Sequence, residues 1–422
     1  MKPMRKLYEM LHMASVAHAR WDYETSMNIL KSRKRMIILL LVALPAIIFS
    51  IAMAADPGSL PAILGGKKAY SPAFYTPEIF LVSILIGVAA GLITGCIGAG
   101  GGFIITPALM SAGIKGILAV GTDLFHIFAK AIMGTTVHKK LGNVSVGLAV
   151  AFLAGSILGV VGGGFINHYL YNLNPVLSDT FISLVYVVLL GFLGIYAMSD
   201  FLKLRKAGGA GDAHGGGGDS SKGLPARLQA SKLPPLITFD EDLVPGGKRI
   251  PALYVALCGA VVGFVAAIMG VGGGFLTFPM FVYILGVSSF TTVGTDILQI
   301  IFTAGFAAIS QYAIYGFIFY TLAMGMLLGS LLGIQVGALA TKLVKGIYIR
   351  GFYATAILAG FLNRLFALPG KLAEMKLITL DKATAAFLTQ TGNWIFFVVV
   401  SIFAIWVIGT FVGKINQLRG EG

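Results

Sequence analysis

Apolar runs of roughly 18–25 residues recur along the chain, separated by short polar stretches. They fall at about residues 36–55, 78–97, 117–137, 144–166, 180–202, 252–269, 289–313, 317–341, 351–369 and 393–413. Runs of this length match helices that cross a hydrocarbon core about 30 Å thick. Alternating ten-residue strands, the mark of a membrane barrel, do not occur. The pattern predicts an all-α, polytopic membrane protein. Two stretches interrupt it: "GCIGAGGGFIITP" at residues 95–107 and "AIMGVGGGFLTFP" at residues 267–279. Clustered glycine and a proline weaken a helix, so each predicts a helix broken at membrane depth.

The two interruptions belong to a repeat. Gly91, Gly98, Gly100, Gly101, Gly102, Phe103 and Pro107 match Gly263, Gly270, Gly272, Gly273, Gly274, Phe275 and Pro279 at an offset of 172. "VGTD" at residues 120–123 returns at 293–296, an offset of 173, and "GSILGVVGG" from Gly155 returns as "GSLLGIQVG" from Gly329, an offset of 174. Three matches in order at nearly constant offset mark an internal duplication of the kind transporters carry. In the first half, basic residues follow the second segment (Lys139, Lys140) and the fourth (Lys203, Arg205, Lys206). In the second half the loop at residues 311–316 is uncharged, and Lys342, Lys345 and Arg350 follow the third segment. Basic loops stay on the cytoplasmic side, so equivalent loops prefer opposite sides and the repeats, at 78–202 and 251–413, are expected to be inverted. Inversion needs an odd number of crossings per half. Each repeat then has about three spanning helices plus a Gly-rich broken helix that enters, turns and returns.

Composition sharpens this without changing it. The 422 residues are 57% hydrophobic and 11% charged, more apolar than a soluble core absorbs. The net charge of +14 gathers in residues 1–35, read as a basic cytoplasmic tail, and in short loops. No motif interleaves basic and aromatic residues as nucleic-acid binding requires. Residues 36–55 are expected as an extra N-terminal transmembrane helix; "AMA" before Ala55 resembles a cleavage site, but a 35-residue leader is long for a signal peptide. The Gly/Ser-rich residues 203–250 predict a flexible cytoplasmic linker whose "FDED" is solvated. Both termini are expected in the cytoplasm, with the chain in the cell (inner) membrane. Cys96 and Cys258 are not equivalent in the repeats and form no CxxC, so neither a disulfide framework nor a cysteine-based metal site is supported, and no cofactor is expected. No phosphate-binding "GxxxxGK[ST]" occurs, which argues against an ATP-driven pump.

The candidate chemistry lies at the breaks and just after them. A turn inside a bilayer leaves backbone groups that only protein or a polar cavity can satisfy. Successive glycine N–H groups form an anion-binding nest, so Gly100, Gly101, Gly102, Gly272, Gly273 and Gly274 are candidate anion ligands. The alternative, close helix packing, suits Gly155, Gly159, Gly163, Gly329, Gly333 and Gly337 better. In "VGTDLFHIFAK", Asp123, His126 and Lys130 share one helix face, and the repeat supplies Asp296, Gln299 and Thr303 at those positions. Lys130 would balance a substrate's charge, or else snorkel to the interface. Asp123 and Asp296 would carry protons or cap helix starts, with Thr122 and Thr295 as alternative caps and candidate substrate ligands. His126 adds a group that ordinarily titrates near neutral pH. Cys96 reads as a small packing residue, and Thr94, Thr106 and Thr277 either line the site or bond back to their own helices.

At "GAGGGFIITP" and "GVGGGFLTFP", each followed by "GTD", the chain resembles the sulfite exporter TauE/SafE permease family, also called the toluene sulfonate uptake permeases, over about residues 78–413. The resemblance implies a secondary transporter, not an enzyme, for sulfite or a related sulfur anion such as thiosulfate, sulfoacetate or an organosulfonate, coupled to protons. The residues alone indicate only an anion. They also leave open a passive anion channel and, with two repeated aspartates, an intramembrane aspartyl protease, although "GTD" departs from the protease-like "GxGD". The partners are then a small anion and the lipid bilayer, with no nucleic acid; a homo-oligomer is compatible with the chain.

Overall fold

The computed structural model describes residues 31–34, 37, 62–68, 77–97, 101–141, 145–206, 224–240, 246–340, 343–344 and 346–420. All but one residue of the expected helix at 36–55, most of the basic tail, Gly100 and the glycine-rich residues 207–223 lie outside them.

The described chain is almost entirely helical. The first half holds α1 (Pro77–Ile97), α2 (Gly102–Ser111), α3 (Gly116–Leu141), α4 (Val146–Leu173) and α5 (Pro175–Lys206). The second holds α7 (Ala252–Met269), α8 (Gly274–Pro279), α9 (Ser289–Phe306), α10 (Tyr320–Ala340), α11 (Gly346–Glu374) and α12 (Lys382–Gly420). α8 runs on as a π-turn, Met280–Leu285, and α9 as another, Ala307–Ala313. Between the halves stand a short helix, α6 (Leu224–Ala230), and an antiparallel hairpin of β1 (Leu236–Phe239) and β2 (Lys248–Pro251).

Local chemistry sets the boundaries. Ser145 caps α4 through Leu148 N–H, and Ser288 caps α9 through Thr291 N–H. α4 stops at Asn174 before Pro175, which cannot continue a helix but starts the next one well. α7 ends at Gly270 in the left-handed conformation, φ 80°. The hairpin corrects the expectation of a structureless linker. Phe239 and Ile250 are buried, and Asp240 is not solvated but accepts from Ser288 N–H and Oγ, at 3.0 and 2.7 Å.

Seven described helices are long and apolar enough to cross a membrane: α1, α4, α5, α7, α10, α11 and α12. Their outward faces carry exposed apolar side chains such as Leu158, Phe192 and Ile405, as lipid contact requires. α3 and α9, expected as spanning segments, are not among the seven. On α9 the polar residues of the "VGTD" stretch dilute the hydropathy.

Two seams of glycine join the halves. Gly87, Gly91 and Gly95 of α1 lie against Met326, Ser330 and Ile334 of α10. Gly155, Gly159 and Gly163 of α4 lie against Ala256, Ala260 and Phe264 of α7. The numbers rise together in both, so each pair runs parallel, with backbone against backbone. The other pairings run the opposite way. Gly121 of α3 meets Tyr312 while Phe128 meets Gly305 of α9. Gly191, Gly194 and Phe201 of α5 meet Phe361, Leu358 and Gly351 of α11.

Candidate functional site

The two breaks meet in the middle of the molecule. After α1 the chain folds back, so that Gly101 lies against Ala90, one to two turns before the end of α1; after α7, Gly273 lies against Val262 in the same way. A Cβ on Gly102 would stand 3.0 Å from the Cα of Val271, and one on Gly270 2.9 Å from the Cα of Val120. Each break therefore packs on the opposite half. The second uses left-handed glycines at Gly270, Gly272 and Gly273, with φ of 80°, 64° and 88°. Gly101 of the first break instead has φ −74°. Ile127 closes over both: its side chain occupies the space beside Gly102 and Gly272. In this conformation the side chains of Ala90, Ile127, Val262 and Ile300 crowd the glycines, and Asp296 Oδ2 also lies beside Gly274.

Beside the breaks lies a buried polar face on α3. Asp123 and His126 have no exposed surface, and an ionisable group at this depth costs roughly 2.5–3.5 kcal/mol on insertion scales. Asp123 Oδ2 accepts from Thr106 Oγ1 at 3.1 Å, which ties α3 to α2. His126 Nε2 meets Ser330 Oγ at 2.7 Å, across to α10 of the other half. One turn further, the half-buried Lys130 reaches α1, where its Nζ donates to Thr94 Oγ1 at 3.4 Å. Asp123 Oδ1 and His126 Nδ1 stand 3.8 Å apart, and neither has a hydrogen-bond partner. Tyr186 of α5 completes the cluster. Its hydroxyl donates to Met269 O at 2.6 Å, immediately before the second break, and Asp123 lies within its electrostatic reach.

The face of α9 is built to the same plan and closes differently. Gln299 Nε2 donates to Asp296 Oδ1 at 2.7 Å, Thr303 Oγ1 donates to Gln299 Oε1 at 2.8 Å, and Thr303 meets Ser156 Oγ of α4 at 2.8 Å. Ser156 and Ser330 are equivalents, each reached from the other half. Each follows the first glycine of the repeated small-residue stretches that begin at Gly155 and Gly329.

Several sequence expectations change here. Asp123 and Asp296 are not helix caps: α3 and α9 begin at Gly116 and Ser289, two turns earlier. Those ends are held instead by Asp179, which accepts Gly116 N–H at 2.7 Å, and by Ser288. Thr122 and Thr295, expected as substrate ligands, are occupied by backbone of the other half. Thr122 Oγ1 accepts Phe319 N–H and Thr295 Oγ1 accepts Ser145 N–H, both at 3.0 Å. Cys96 is buried and donates to Gly337 O at 3.4 Å, in keeping with a packing role. Thr94 and Thr277 bond back to Ala90 O and Gly273 O, whereas Thr106 faces Asp123. Tyr186, Ser156 and Ser330 carried no signal in the sequence, because a single hydroxyl in an apolar run has many harmless explanations. The described residues hold no group of three His, Cys, Asp or Glu that could bind a metal.

Comparison with known proteins agrees with this architecture. The family model for the sulfite exporter TauE/SafE matches residues 83–364. The chain is similar to the probable membrane transporter protein YjnA of Bacillus subtilis (strain 168), at 27% identity over 255 residues, covering 60% of this chain and 87% of that protein. It is also similar to the probable membrane transporter protein YunE of the same organism, at 25% identity over 271 residues, covering 61% and 87%. No solved structure matches the chain.

Proposed function

We propose, for a chain that belongs to the sulfite exporter TauE/SafE family of membrane transporters, that it carries sulfite or a related sulfur oxyanion across the cell membrane in exchange for, or together with, protons. The observation that carries this reading is the meeting of both glycine breaks with one half-buried cation, Lys130, and two buried titratable groups, Asp123 and His126. Lys130 supplies the positive charge an anion needs at low dielectric. The glycine amides at Gly101, Gly102, Gly272, Gly273 and Gly274 are the neutral donors. They would be reached when Ile127 moves aside. Asp123 and His126 would hold the coupled proton, and Asp296 would orient its half.

We read the two halves as inverted repeats rocking against each other. Support comes from the contact directions: equivalent helices α3 and α9, and α5 and α11, cross antiparallel, while α1 with α10 and α4 with α7 exchange partners under the same offset. Both termini then face the cytoplasm. The test is flux in proteoliposomes with sulfite, thiosulfate, sulfate and methanesulfonate, with and without an imposed pH gradient. Uptake of sulfite or a sulfonate that responds to the gradient is the expected result. Transport of none of them, or equal transport of chloride, overturns it.

A further inference from the structure

One more charge lies inside a spanning helix, and the site above does not use it. Arg364 falls within the Ile347–Glu374 span of α11 and is 2% exposed. The same helix carries two other cations with partners in the structure, each near an end and each paired with an acid on α5. Arg350 Nη1 stands 3.3 Å from Asp200 and Lys371 Nζ 3.0 Å from Asp179. Arg364, deeper than either, has no carboxylate within ion-pair distance among the described residues. Its partners are neutral. Nε donates to Asn363 Oδ1 at 2.7 Å, and Nη2 donates to Ser111 Oγ at 2.8 Å and, more weakly, to Pro107 O at 3.4 Å. Asn363 is itself held, donating to Ser111 and to Asn393 at 3.0 and 2.8 Å.

A clamp on α2 needs donors and does not need a charge; glutamine would provide donors without burying a cation. Asp179, an acid whose charge reaches Arg364, is already paired with Lys371, so the two cations share one carboxylate and the buried guanidinium is left short of counter-charge. The position suits an arriving substrate. Pro107, which Arg364 touches, follows Thr106, which bonds Asp123. Tyr186, which bonds Met269 O at the second break, lies within electrostatic reach of both Asp123 and Arg364. Arg364 thus stands at the edge of the central cluster, on the far side of α2 from the acid.

We propose that Arg364, fixed by Asn363 and Ser111, is a second anion-binding site, at which the transported oxyanion docks before or after Lys130. This rests on the reading of the chain as an anion carrier. A guanidinium is a planar fork that matches two oxygens of one acid group. The ligand is therefore an oxyanion with two adjacent terminal oxygens, such as sulfite or a sulfonate, and not a halide. Its oxygens would meet the Nη1–Nη2 edge and displace the long contact to Pro107.

The test measures anion-dependent thermal stabilisation of the purified full-length protein, and KM for flux, with sulfite, methanesulfonate and chloride. In the wild type the two oxyanions stabilise and chloride does not. Arg364→Gln raises the apparent Kd and KM at least tenfold, and Arg364→Lys lies between. Ser111→Asp places a carboxylate beside the guanidinium, so it raises the stability of the empty protein and weakens the response to sulfite. It keeps the question open to refutation should Arg364→Gln fail to fold. Unchanged KM in Arg364→Gln, or an undiminished sulfite response in Ser111→Asp, overturns the second site while leaving the carrier intact. A wild type that neither carries nor is stabilised by any oxyanion removes the transport reading itself, and this site with it.

Discussion

The polar faces of α3 and α9 occupy equivalent places, yet only one ends in open chemistry. On α9, Asp296, Gln299, Thr303 and Ser156 form a closed chain: Gln299 and Thr303 each donate to the group before them, and Thr303 meets Ser156. On α3, His126 and Lys130 stand where Gln299 and Thr303 stand opposite, and one carboxylate oxygen and one ring nitrogen face each other unbonded at 3.8 Å. The scaffold around them is shared, down to the serine contributed by the other half and the threonine that accepts a backbone N–H across the interface. Duplication supplied a symmetric frame; substitution at two positions made the frame chemically one-sided. An orphaned buried polar group is costly, so a cluster kept incomplete on one side only is a candidate for function rather than for stability.

That comparison can be broken at several points. The largest effect is expected where the halves are still alike. Gly91→Leu in one seam and Gly263→Leu in the other drive a side chain into the backbone at Ser330 and at Ser156, where no flexible neighbour can yield. Each should destabilise by about 3 kcal/mol or more and leave little folded protein on size exclusion. Tolerance of either would mean the seams are looser than drawn. Next, Lys130→Ala should lower anion flux at least tenfold, about 1.4 kcal/mol or more, with the protein still inserted, whereas Thr303→Ala should change flux by less than threefold. Equal losses would abolish the asymmetry. His126→Gln copies the α9 arrangement onto α3, and it should reduce the number of protons moved per anion; an unchanged ratio of proton to anion movement would take His126 out of the coupling. The smallest effect separates the two serines. Ser330→Ala leaves His126 Nε2 without its partner and should cost about 1–3 kcal/mol in thermal unfolding. Ser156→Ala should cost about 1 kcal/mol or less, because Thr303 still bonds Gln299.

The uneven legibility of these features has physical causes. The glycine breaks, the repeat and the shared face of Asp123, His126 and Lys130 are local patterns, and a helix places residues at i, i+3 and i+7 together whatever surrounds it. The roles of the aspartates were harder to read. A carboxylate two turns inside a helix and one at its start look alike in sequence, and only the caps by Ser288 and Asp179 separate them. Arg364 and Tyr186 were silent because their meaning depends on α2 and on the second break, both remote along the chain. The hairpin after residue 235 escaped because its neighbours are so rich in glycine that the local apolar pair, Phe239 and Ile250, was masked by composition.

By itself the amino-acid order determined the lipid solvent, the helical class, the duplicated frame and the two points where the frame is interrupted. These follow from run length, hydropathy and spacing, which act over a few turns of one helix. Tertiary structure alone decided which hydroxyl meets which acid, which threonines are occupied by backbone, and which buried cation lacks a carboxylate. Those are facts about side chains as much as 253 residues apart in sequence, as in the bond from Arg364 to Ser111, and only packing brings them within 3 Å.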